Sequence, residues 1–166
     1  MHIAIVAAGH TSDDCAPQHP SLRVLTEAEQ ARVHRADERL QGMPLPAAER
    51  DFLRANLWLS HDLYGEAIAV LERLARAPGA PPAIHRLLGE AYEYVELPDR
   101  AESAYRAALA GAATSRDVEA RATLSVALAR VSTDQQESKQ LVAQAVMLYR
   151  LLGDNQRADE LAHGKG

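Results

Sequence analysis

Residues 82–113, PAIHRLLGEAYEYVELPDRAESAYRAALAGAA, constrain the fold more tightly than any other stretch of the 166-residue chain. Ile84, Leu87, Leu88, Ala91, Tyr92 and Val95 recur three and four apart, the period that gathers side chains on one face of an α-helix. Ala101, Ala104, Tyr105, Ala108 and Leu109 repeat the pattern beyond a break at Leu97–Asp99. So short a connection predicts two antiparallel helices in contact. Gly89, Ala101 and Ala108 lack bulk where the two backbones would come close, while Tyr92 and Tyr105 are large enough to fill the wedge between them. Hydrophobic residues make up 47% of the chain but aromatics only 4%. The core is therefore expected to be built mainly from Leu, Ala and Val, the composition of packed helices rather than sheets.

With Pro82 as the first residue of a 34-residue unit, Leu88, Gly89, Tyr92, Ala101, Tyr105 and Ala108 occupy six signature positions in one register. The stretch resembles the tetratricopeptide repeat family, with His85 in place of its usual Trp and Ala113 in place of its terminal Pro. The resemblance implies an all-α fold, a right-handed superhelical array of antiparallel helix pairs. It implies nothing about the identity of a partner.

Moving the register back gives a unit at 48–81, with Ala55, Trp58, Ala67, Leu71 and Leu74 at the matching positions and Leu53, Leu57 and Leu63 completing the interior. Moving it forward gives 116–149. There Ser138, Val142 and Ala145 match Ala101, Tyr105 and Ala108 only if about three residues are inserted, which we place in the turn Val131–Asp134. Thr26 and Glu29 predict a capping box for a leading helix over 27–41, ended by Gly42, Pro44 and Pro46. Residues 154–163 read as a short closing helix that would cover Leu148 and Leu152, because repeat arrays need a more polar cap. The expected organisation is a tail and loop at 1–25, a leading helix and linker at 26–46, and a repeat domain at 47–163 that includes the cap. The short apolar run Ile3–Ala8 could pack on the helices or on a partner.

The formal net charge of −5 argues against a large phosphate footprint on nucleic acid or an anionic membrane. Cys15 is the only cysteine, so no intrachain disulfide can form. No run approaches a membrane span, and no secretory leader is evident; the expected location is cytoplasmic. His10, Asp13, Asp14, Cys15 and His19 are the densest set of metal-ligating side chains, but their spacing matches no metal motif. They read as a polar surface loop, with a metal-dependent enzyme or sensor as the alternative. His85 reads as a half-buried packing residue that donates one hydrogen bond. Arg32, Arg35 and Arg39, interrupted by Asp37 and Glu38, read as a solvated, salt-bridged face. No G-x-S-x-G, H-E-x-x-H, phosphate loop or C-x-x-C occurs, so no catalytic, metal or cofactor residue is assigned and the protein is read as a non-enzyme.

In the family-like arrangement the first helix of each pair lines a concave groove. The groove positions implied here are Phe52, Asn56 and Leu59 with Ser60; Arg86, Glu90 and Tyr94 with Glu93; and Leu124 and Leu128 with Ala120 and Ala127. Some relatives clamp a partner's C-terminal carboxylate in that groove, but Phe52 and Leu87 stand where the clamp needs a basic residue and an asparagine. The expected function is a protein-protein interaction scaffold or adaptor binding a protein or peptide segment, with homodimerisation a further route. The other possibilities are a structural domain of a larger protein and a groove filled by residues 1–41.

Overall fold

The computed structural model describes residues 25–113 and 116–164, and the elements among them are all helical. In chain order they are α1 (Glu27–Gln41), α2 (Ala47–Leu59), α3 (Tyr64–Ala75), α4 (Pro82–Tyr94), α5 (Pro98–Ala112), α6 (Val118–Val131), α7 (Gln135–Leu151) and α8 (Asn155–Ala162). The expected capping box starts α1: the Thr26 hydroxyl accepts from Glu29 N at 3.3 Å and the Glu29 carboxylate accepts from Thr26 N at 2.9 Å. Pro82 and Pro98 open α4 and α5, where a missing N–H costs nothing and a fixed φ is already helical. For that reason the break in the central pair falls at Val95–Leu97, earlier than the Leu97–Asp99 expected from periodicity.

Each helix packs on its neighbour in sequence, and packing within the pairs α2–α3, α4–α5 and α6–α7 is more extensive than between them. This is a helical-repeat, solenoid-like arrangement, with α1 laid on α2 at one end and α8 on α7 at the other. One core runs from Ala55 and Leu71 through Leu88, Tyr92 and Tyr105 to Leu124 and Leu141. A second cluster of Ala122, Ala145, Tyr149 and Ala158, with Leu148 against it, forms the α8 end. Leu152 stays exposed there, so the closing helix covers less than the sequence suggested.

The turns repeat as faithfully as the helices. Leu63 N donates to Trp58 O at 2.9 Å, and 34 residues later Leu97 N donates to Tyr92 O at 2.8 Å. Between them Asp62 and Glu96 take the left-handed conformation, with φ of 61° and 60°. After α7, Asp154 N donates to Tyr149 O at 2.9 Å around Gly153 at φ 80°. All three are Schellman-type ends in which an aromatic or indole residue supplies the carbonyl.

The third pair departs from the expected register. The turns at 95–97 and 132–134 are equally long, so no insertion lies at Val131–Asp134. Instead α5 has 15 residues where α3 has 12, and the third pair follows the second at a spacing of 37. Leu124 and Leu128 therefore correspond to Leu87 and Ala91, and all four are buried in the stack. The structure thus removes Leu124 and Leu128, each 2% exposed, from the proposed groove. Leu53 errs the other way. It was expected inside, yet it is 40% exposed where its counterpart Leu87 is 8%. Leu87 has a full helix pair stacked before it, whereas among the described residues only the single helix α1 precedes α2.

Candidate binding face

The outward positions of the first helices are built from α2, α4 and, in the corrected register, Thr123, Ala127 and Arg130 of α6. On α2, Phe52 and Leu59 lean against the core and are only partly open. The Asn56 amide donates to the Phe52 carbonyl at 2.8 Å, and Ser60 Oγ donates to the Leu57 carbonyl at 2.7 Å, so both polar groups are satisfied within their own helix. Exposed Leu53 is the large apolar side chain that α2 offers most openly.

On α4, Arg86 and Glu90 are one turn apart and pair with each other. Tyr94 is exposed, but its ring is stacked on Tyr64 at a centroid distance of 3.7 Å and an angle of 16°. The two rings tie the C-terminal end of α4 to the first turn of α3. Burial, then the neighbouring Tyr94 and Asp62, push the Tyr64 phenol up to about 12, so it keeps its proton at physiological pH. Tyr64 had no place in the sequence argument because it falls on a second helix, away from the groove period.

A network joins three helices at Glu93. Arg130 of α6 forms a two-pronged pair with its carboxylate, Nε to Oε1 at 2.6 Å and Nη2 to Oε2 at 2.7 Å. Tyr105 of α5 donates its phenol to the same carboxylate at 2.7 Å. Burial raises the Tyr105 pKa, and the Glu93 acceptor raises it further. Burial also works to raise the Glu93 pKa, but the Arg130 and Tyr105 hydrogen bonds together outweigh it and hold that carboxyl below its usual range. Arg130 escaped the sequence reading because the unshifted register placed it off the face. The pair shows that the faces of α4 and α6 adjoin.

A carboxyl with a depressed folded pKa adds stability above its unfolded pKa of about 4.3, and loses it as pH falls through the folded value. Acid titration of stability should therefore reveal Glu93. Between pH of about 5 and 3, the urea midpoint of the wild type should fall more steeply than that of Glu93→Gln. Parallel profiles would mean that the network carries no linkage.

His85 is half-buried, and among the described residues its side chain meets no partner for the donated bond expected from sequence. The His10, Asp13, Asp14, Cys15 and His19 set lies outside the described residues, as does the Ile3–Ala8 run. Among the described residues no three His, Cys, Asp or Glu side chains gather as metal ligands, and no helix is long and apolar enough to cross a membrane. Neither a protein-family model nor a curated protein matches the chain.

Proposed function

We propose that the stack is a right-handed, tetratricopeptide-like solenoid whose first helices form a concave face, and that the face binds a segment of a partner protein. The protein would act without catalysis, as a cytoplasmic adaptor. The observation that carries this reading is the side-by-side placement of matching positions on α4 and α6, secured by the Glu93–Arg130 pair. An extended or helical partner segment would run across Phe52, the Arg86–Glu90 pair and Tyr94. It would meet apolar contact at two points and a charge of either sign between them.

The test is a photo-crosslinking residue introduced at Glu90, compared with one at Met147 on the outer side of α7, in the full chain within its native cells. A partner should be captured from position 90 and not from 147. Arg86→Ala combined with Tyr94→Ala should weaken its binding about tenfold or more in a chain that still folds, the lost Tyr64 stack costing only about 1 kcal/mol. Equal capture at both positions, or none at Glu90, would reject the face.

A further inference from the structure

We propose that the exposed side of α1 is a second docking surface, separate from the face of α2, α4 and α6, and that it takes an acidic segment of a partner protein. Arg32, Arg35 and Arg39 stand three and four residues apart, which puts three guanidiniums in one stripe along the helix. All three are exposed, and α1 buries its opposite side through Val33, with Leu40 partly covered.

The salt-bridged face expected from sequence is not what forms. Asp37 turns inward and accepts from Arg54 at 2.5 and 3.0 Å. Glu38 faces His34 at 3.2 Å. Among the described residues Arg32 donates only to the Ala28 carbonyl of its own helix, and no carboxylate lies within ion-pair reach of any of the three. Most arginines elsewhere in the stack are paired: Arg73 meets Asp51, and Arg106 meets both Glu102 and Glu137. Arg32–Arg35 and Arg35–Arg39 are moreover like-charged neighbours at helical spacings that destabilise a helix. An anionic partner would relieve that repulsion.

The dimensions favour carboxylates on a protein. Three charges spread over roughly 10 Å of helix axis are too few for a phosphate-rich surface, in a chain that is acidic overall. Each guanidinium fork matches one carboxylate in a two-pronged pair. A partner helix with acidic residues at i, i+3 or i+4, and i+7 would present them at the same pitch. Glu27 and Glu38 on the remaining surface of α1 would repel a longer anionic polymer and help set the register.

The experiment measures binding of the full chain, by fluorescence anisotropy at near-physiological salt, to a helical peptide carrying glutamates at those positions and to the same peptide with glutamines. The glutamate peptide should bind, the glutamine peptide should not, and Arg32→Gln/Arg35→Gln/Arg39→Gln should weaken binding at least tenfold. Removing equal charge elsewhere, by Arg116→Gln/Lys139→Gln/Arg150→Gln, should leave it unchanged. Should the first triple variant fold poorly, Arg35→Glu provides the same test, since its loss should be restored by a peptide with lysine at the facing position. Arg86→Ala/Tyr94→Ala should still bind the peptide, so failure of the groove and failure of this surface are separable. No glutamate dependence, an equal loss in the control triple, or tighter binding to phosphatidylserine vesicles or duplex DNA would overturn the proposal.

Discussion

Tyr105→Ala is expected to destabilise the fold by about 3–5 kcal/mol, measured as the shift in a urea unfolding curve, because it empties the most fully enclosed large side-chain site in the core. The ring is 0% exposed and lies against Gly89 across the α4–α5 interface. Its hydroxyl is a separate contribution. Tyr105→Phe should cost only about 1 kcal/mol, since Glu93 keeps its Arg130 partner. The fit also works in reverse. A Cβ added at Gly89 would sit 2.6 Å from Tyr105 Cε1 and 2.9 Å from Cζ, and a wholly buried ring has nowhere to retreat. Gly89→Ala would ordinarily stabilise a helix by up to about 1 kcal/mol; here overpacking of about 1–3 kcal/mol should reverse the sign. Combining it with Tyr105→Leu should recover part of the loss, a coupling that only direct contact produces. Additive losses would place the two residues out of contact.

That interface was legible because its signals are local. A glycine in mid-helix has no reason to persist on propensity alone, and a tyrosine sixteen residues later supplies the bulk that it accommodates. The capping box at Thr26 was readable for the same reason, whereas Pro98 was placed in the break although it opens α5. Turns hidden by composition were less so: Asp62 and Glu96 hold left-handed conformations usually given to glycine. The register of the third pair depended on helix length, and nothing in Ala107–Gly111 says whether α5 should stop at 12 residues or continue for 15. A one-turn error there turned core leucines into apparent groove residues. The Arg32–Arg39 stripe was misread because spacing along α1 shows which carboxylates are near, but Asp37 chose a partner from another helix.

Leu124→Ala decides between the two accounts of α6. As a core residue at 2% exposure, matched in register to Leu87, it should lose about 2–5 kcal/mol when truncated, through transfer and cavity terms. As a groove residue it would lose less than about 0.5 kcal/mol and instead weaken partner binding. Leu53→Ala is the counterpart. Exposed on α2, it should leave the unfolding midpoint nearly unchanged. The contrast follows from stacking. A position that faces the previous pair is buried wherever a previous pair exists, and among the described residues α6 has α4–α5 before it while α2 has only α1. If Leu53→Ala destabilised as much as Leu124→Ala, α2 would have to be covered, and the face open to a partner would begin at α4.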